Sequence, residues 1–157
     1  MKTRELQTLW WDWLSTSERL LSTLQDQTKA LMRRDVGTID RLQTELDTML
    51  AHMKVIDDQA AVSARRLAEE LGAQPHLRSL VENLSKAEGQ QVQGLANRVK
   101  AAAASVSTHL DKNRKLIENE LIFVNGSLAL IVRASQDQES QFGGKKASQA
   151  VLVNQVA

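Results

Sequence analysis

Apolar residues recur every three or four positions along most of the chain, the spacing of one buried stripe on an α-helix. The first stripe predicts a helix over residues 3–33 and the second predicts a helix over residues 39–71. The first suits coiled-coil-like packing. The first stripe holds Leu6, Trp10, Trp13, Ser17, Leu20, Leu24, Gln27 and Leu31, and the second holds Ile39, Leu42, Leu46, Met49, Met53, Ile56, Ala60, Ser63 and Leu67.

Glycine and proline separate these predicted helices from each other and from the rest of the chain. Gly37 supplies backbone freedom at the first break, and we expect the Thr38 hydroxyl to cap the second helix. Gly72 and Pro75 end that helix, because glycine suits a C-cap and the residue before proline avoids helical geometry. A short helix is predicted over residues 76–84.

The last helix is predicted over residues 86–134, about 45–50 residues, and its apolar end is the main clue to function. At about 1.5 Å per residue, it is longer than the first two helices can cover. Residues 121–132 are apolar on nearly every face, so something must bury them. That cover is the rest of the chain, a second copy or a partner.

The predicted organisation is a helical bundle over residues 1–135 followed by a flexible tail over residues 136–157. The tail is polar and glycine-bearing, so it cannot bury enough surface to offset its chain entropy when free. It carries Phe142 and a small apolar cluster of Val151, Leu152, Val153 and Val156. On partner binding this tail could fold.

Composition supports an all-α fold, an antiparallel bundle of long helices. The 157 residues include one proline and no tyrosine, whereas strand-rich proteins need recurrent turn residues and β-branched or aromatic runs. The formal net charge of +1 favours neither nucleic acid nor an anionic membrane. The most apolar run is shorter than the roughly 20 residues of a spanning helix. With no cysteine and no secretory signal, we expect a cytoplasmic protein.

Catalytic and metal-binding patterns are missing from the sequence. His52, His76 and His109 fall on three different predicted helices, and none has the Glu-x-x-His spacing of di-metal bundles. The adjacent pairs Asp57-Asp58 and Glu69-Glu70 diverge by about 100° on a helix, so they do not form an acid–base couple. We therefore expect no enzyme activity, no metal and no cofactor. Trp11 lies off the first stripe, where it either caps the bundle end or meets a partner.

The order of parts resembles the FlgN family of flagellar type III export chaperones. Two helices of about thirty residues meet at a short Arg34-Asp35-Val36 loop, then come a Gly/Pro break, a short helix, one very long helix and an aromatic–glycine pair in the tail. The segments that carry the resemblance are LMRRDVGTIDRLQTELDTML, NRKLIENELIFVNGSLALI and QFGGKK. The resemblance covers essentially the whole chain.

The resemblance implies a cytoplasmic chaperone that binds the C-terminal helical segment of hook-associated (hook–filament junction) proteins. It would prevent their premature polymerisation and deliver them to the export gate, as a monomer or a weak homodimer. Phe142 stands where many family members have a tyrosine implicated in gate docking. By position, the partner-binding residues are Leu121, Phe123, Val124, Leu128, Ile131, Val132, Phe142, Val151, Leu152, Val153 and Val156.

Two other classes of function stay open at this stage. One is an unrelated helical adaptor or self-associating coiled-coil protein without chaperone activity, whose second copy would cover residues 121–132. The other is an enzyme or metalloprotein on a helical bundle, which the missing ligand spacings disfavour. A complex with a hook-associated protein fragment would separate the chaperone from both.

Overall fold

A computed structural model describes residues 2–142, apart from the side chains of residues 122–125, 127–128 and 137–142. Its four helices are α1 (Arg4–Arg33), α2 (Val36–Leu71), α3 (Leu77–Glu82) and α4 (Lys86–Phe142). The prediction of an all-α bundle of long helices is confirmed. The chain divides within α4 into two compact units, residues 1–113 and 114–157.

The predicted stripes of α1 and α2 form the core of the first unit. On α1 every stripe member is buried except Trp10, which is half-buried, and on α2 only Ile39 and Met49 are half-buried. Val92, Leu95 and Val106 of α4 are buried as well. Because a bundle helix with two neighbours needs a wide apolar face, α1 also packs the partly buried Leu9, Leu14 and Leu21 against this core.

Side-chain contacts fix the directions of the three long helices in the first unit. Gln27 of α1 contacts Gln43 near the start of α2, and Glu5 contacts Ser63 near its end, so α1 and α2 are antiparallel. Thr3 contacts Glu88 and Thr28 contacts Asn113, and each pair is 85 residues apart in sequence. A constant offset means that α1 and α4 run parallel and stay in one register.

The junction between α1 and α2 corrects the predicted cap. The second helix begins at Val36, three residues before the predicted start, and Asp35 rather than Thr38 is its N-cap. The Thr38 backbone N–H and hydroxyl both donate to the Asp35 carboxylate, at 3.2 and 2.6 Å, and these bonds lower the pKa of Asp35. Arg34 ends α1 in the left-handed region at φ 55°, a conformation that costs a non-glycine residue about 1–2 kcal/mol.

Two glycines determine how the chain runs between α2 and α4. Gly72 ends α2 at φ 64°, and its N–H reaches the Ala68 and Glu69 carbonyls, as expected of a glycine C-cap. Gly89 lies where α4 passes α3, and a Cβ there would sit 3.2 Å from the Val81 carbonyl oxygen. Gly89 therefore lets α3 and α4 approach closely.

A buried polar network joins the three long helices near the end of the first unit. The Asn113 amide, only 2% exposed, donates to the Leu24 carbonyl at 2.8 Å and to Gln27 Oε1 at 3.2 Å. Thr28 donates to Asn113 Oδ1 at 2.5 Å. Gln27 in turn donates to Gln43 Oε1 at 2.9 Å. Every side chain named is satisfied by another, which a buried polar group requires.

The long helix α4 ends later than predicted. It runs to Phe142 instead of residue 134, because residues 135–141 contain neither glycine nor proline and include three glutamines and one glutamate, which are good helix formers. The proposed division into a bundle over 1–135 and a flexible tail over 136–157 stays a prediction. Most of that tail, residues 143–157, lies outside the described residues.

A groove of about 320 Å³ borders the core of the first unit, lined by residues of α2 and α4 and by Trp13. Trp13 Nε1 is buried and makes no well-formed hydrogen bond with the described residues. Asp57 also lines the groove. Partial burial raises its pKa, an effect strengthened by Asp58 and opposed by Lys54 and by the Trp13 indole.

We expect Asn113→Ala to destabilise the protein by about 1–3 kcal/mol, because it leaves the buried Gln27 and Thr28 groups without their partner. Urea denaturation monitored by circular dichroism measures this loss. The matched control is Asn97→Ala on the exposed face of α4, where Asn97 accepts a hydrogen bond from Gln93 and the expected change is within about 0.5 kcal/mol. Equal losses for both variants would contradict a special role for Asn113.

Asp57→Asn should raise the melting temperature at neutral pH, because it removes a partly desolvated charge. The raised pKa means that the folded state binds the proton more tightly than the unfolded state. Ionised Asp57 therefore lowers the free energy of unfolding at neutral pH. This destabilisation disappears as the pH falls through the raised pKa that Asp57 has in the folded state. Melting temperatures from neutral to acidic pH should show the gain shrinking. Asp58→Asn, which removes the ion pair with Lys54, should give no gain.

Candidate functional site

The apolar surface of the second unit lies on α4. Leu130 is 67% exposed and Ile131 is 61% exposed, although both are large aliphatic residues. Leu121, Ala129 and Val132 are half-buried. Exposed aliphatic side chains on consecutive positions are a feature that a folded chain does not need for its own stability, so they point to a contact surface.

The absence of charge in this segment makes it suitable for an apolar contact. Residues 121–132 contain no Asp, Glu, Lys or Arg, and the first charged residue after them is Arg133. A partner that covers this segment therefore buries none of its side chains in charged form. The free-energy cost of desolvating a charge, the largest cost of burying polar surface, does not arise.

Gly126 adds a second feature to the same surface. It lies four residues before Leu130, so the two share one face of α4. A Cβ added at Gly126 would meet nothing within 4 Å, so no contact with the described part of the chain requires a glycine there. A glycine in a helix interior costs about 1 kcal/mol relative to alanine. The bare backbone leaves room for a neighbouring chain to approach.

The structure places only part of the predicted partner-binding set. Ile131 is exposed, and Leu121 and Val132 are half-buried. Three more predicted residues lie in α4 with side chains outside the described part, namely Phe123, Val124 and Leu128. Phe142 is the last residue of α4 and its side chain is likewise not described. Val151, Leu152, Val153 and Val156 lie outside the described residues. The predicted set stays a prediction.

Leu130 is the exposed residue that the predicted set left out. It falls one position before Ile131 and therefore lies off the main apolar stripe of α4. A search for helical periodicity selects the residues on the stripe. The clue that could have found it was its spacing of four from Gly126, since a large aliphatic residue and a glycine on one helix face form a contact surface with a bare strip of backbone.

The three histidines have local roles in the first unit. His52 lies 3.8 Å from Asp12 on the surface, His76 Nδ1 accepts from the Ser79 backbone N–H at the start of α3, and His109 Nδ1 lies 2.8 Å from the Ser105 carbonyl. Among the residues that the structure describes, no group of three His, Cys, Asp or Glu could hold a metal ion. In the same part of the chain, no helix has the length and apolarity to cross a membrane.

In a comparison with protein families, residues 1–149 match the model of the FlgN protein family. The chain belongs to the FlgN family. Comparisons with curated proteins and with solved structures give no match.

Membership gives this FlgN-family protein the general role of a flagellar export chaperone that binds flagellar proteins. The predicted resemblance is confirmed over nearly the whole chain. The family is a chaperone family rather than an enzyme family, and the expectation of no catalytic activity stays a prediction. For a chaperone, the exposed aliphatic surface of α4 is the natural candidate site.

Leu130→Asp and Ile131→Asp should each leave helicity intact and change the free energy of unfolding by no more than about 0.5 kcal/mol, because both side chains are already exposed. Circular dichroism melting curves measure this. The comparison variant is Leu24→Asp, which places a charge at a fully buried position of α1 and should abolish cooperative folding. Unfolding by either α4 variant would show that its side chain belongs to the core.

Proposed function

We propose that this FlgN-family protein binds the C-terminal helical segment of hook-associated proteins at the α4 surface around Leu130 and Ile131. It thereby prevents their premature polymerisation in the cytoplasm and delivers them to the export gate. The single observation that carries the proposal is the pair of exposed aliphatic side chains in an uncharged stretch of α4, in a family of flagellar export chaperones.

The physical basis is the burial of apolar surface in a helix-on-helix contact. Covering Leu130 and Ile131, each about two-thirds exposed, contributes about 1–2 kcal/mol per side chain. A terminal segment that polymerises as an amphipathic helix offers a matching apolar face. While this face lies against α4 it is unavailable to other copies of the client, which is how a chaperone of this kind delays assembly.

The remaining predicted residues extend the same proposed surface. Phe123, Val124 and Leu128 belong to the uncharged stretch by sequence, and Leu121 and Val132 mark its ends. We place the tail cluster of Val151, Leu152, Val153 and Val156 in the same contact, with residues 143–157, which follow α4, folding over the client on binding. Phe142 is proposed to supply an aromatic contact at the export gate.

Isothermal titration calorimetry tests the proposal with the C-terminal fragment of a hook-associated protein from the same organism. We expect micromolar or tighter binding, and a loss of about tenfold or more for Leu130→Asp and Ile131→Asp, since apolar anchors dominate such contacts. Val55→Asp is the matched control, because Val55 is an exposed aliphatic residue on α2. The Val55→Asp variant should bind the fragment with the affinity of the unmodified protein.

Two outcomes would contradict this function. One is the absence of any complex between the unmodified protein and the fragment at micromolar concentration. The other is self-association through the same surface, seen in sedimentation velocity as a dimer that Leu130→Asp converts to a monomer while the client fragment fails to compete. In that case a second copy, rather than a client, covers α4.

A further inference from the structure

A second surface, in the first unit, is the groove between α1 and α4 beside Trp11. The groove has a volume of about 240 Å³ and is lined by three glutamines together with Trp11, Gly94, Leu95 and Arg98. Trp11 is 51% exposed, the only tryptophan among the exposed large apolar residues of the described chain. Trp11 therefore does not complete the core, and of its two predicted roles the structure favours the meeting with a partner.

Arg98 gives the groove its charge. Its guanidinium carbon lies 5.4 Å from the centroid of the Trp11 ring, within the range of a cation–π contact. No carboxylate lines the groove, and Arg98 makes no ion pair with any residue that the structure describes. A guanidinium that stacks on an indole keeps N–H groups at its edge, which match a carboxylate in two-point hydrogen bonding.

Gly94 leaves the groove open on the α4 side. Gly89, one and a half turns earlier, is needed for the approach to Val81, but a Cβ at Gly94 would meet nothing within 4 Å. Gly94 is exposed in the middle of a helix, where glycine is destabilising relative to alanine. Because no contact inside this unit explains it, the bare backbone is suited to close approach by another helix.

We propose that the groove of Trp11, Gly94 and Arg98 binds a second stretch of the same client, a helix that sets an apolar side chain on Trp11 and Gly94 and a carboxylate against Arg98. The inference rests on the proposed function, since it takes the hook-associated protein as the client. The cationic groove selects an acidic helix.

Calorimetry with the same client fragment tests this contact through Arg98→Glu. We expect roughly 10- to 100-fold weaker binding, because the reversal removes an attraction and places two carboxylates together. Lys100→Glu is the matched control, an exposed position on the same helix with the same change of charge, and its binding should change less than about threefold. Equal weakening by the two variants would show a general charge effect and overturn the inference.

Gly94→Ala provides a test in which stability and binding move in opposite directions. Its methyl group meets open space, so the melting temperature should rise through better helix propensity. Client binding should weaken, because the methyl group separates the two helices. A variant that is both more stable and equally tight in binding would overturn the close approach at Gly94.

A charge-swap experiment identifies the client's carboxylate. Each Asp and Glu of the fragment is changed to Lys and titrated against the Arg98→Glu protein, and one of them should restore at least about tenfold of the lost affinity. If none restores binding, the pairing with Arg98 is overturned.

These experiments can contradict either of the two proposed surfaces without contradicting the other. Unchanged binding for Trp11→Ala, Arg98→Glu and Gly94→Ala, together with weak binding for Leu130→Asp, overturns this inference and leaves the proposed α4 surface standing. The reverse pattern overturns the α4 surface and supports the groove. No binding by the unmodified protein overturns both. Circular dichroism of every variant establishes that each one folds.

Discussion

The contact between Asn113 and α1 determines how the long helices are aligned. Apolar side chains attract without direction, so a stripe of leucine and valine permits α4 to slide by a turn along α1. The Asn113 amide removes that freedom, because one position alone gives it the Leu24 carbonyl and Gln27 Oε1 at hydrogen-bonding distance. A buried polar residue is known to set register in coiled coils at some expense of stability. The constant offset of 85 residues between α1 and α4 follows from this contact.

Much of the fold could be predicted from the sequence because long periodic helices leave a strong pattern. The stripes of α1 and α2 are buried as their spacing indicated, and the helix ends at Arg33 and Leu71 agree with prediction. Asn113 was not predicted, since a search for apolar periodicity passes over a polar residue within a stripe. Asp35 and Thr38 are both good capping residues, and Gly37 between them suggested a break, so the cap was assigned to Thr38. In the structure Asp35 caps the helix by accepting from the Thr38 backbone N–H, and Gly37 is tolerated in the first turn.

The candidate sites could be predicted less well, for a different physical reason. Periodicity identifies the side chains that a helix must bury, and contact surfaces consist of the side chains that it leaves exposed. Leu130 and Trp11 both lie off the stripes, and both are exposed. In the structure, each of them shares its surface with a glycine that has no packing neighbour among the described residues. The sequence shows Gly94 and Gly126 as helix-weakening residues, but only three-dimensional placement separates them from Gly89, which serves the packing of α3.

The positions of the three tryptophans have a practical consequence. All of them fall within a single turn at Trp10, Trp11 and Trp13, and the chain has no tyrosine. Near-ultraviolet fluorescence of this protein therefore originates in one turn of α1, from a buried, a half-buried and an exposed indole. A ligand at the Trp11 groove would alter that emission directly. The protein thus carries a natural optical label for the groove beside Trp11.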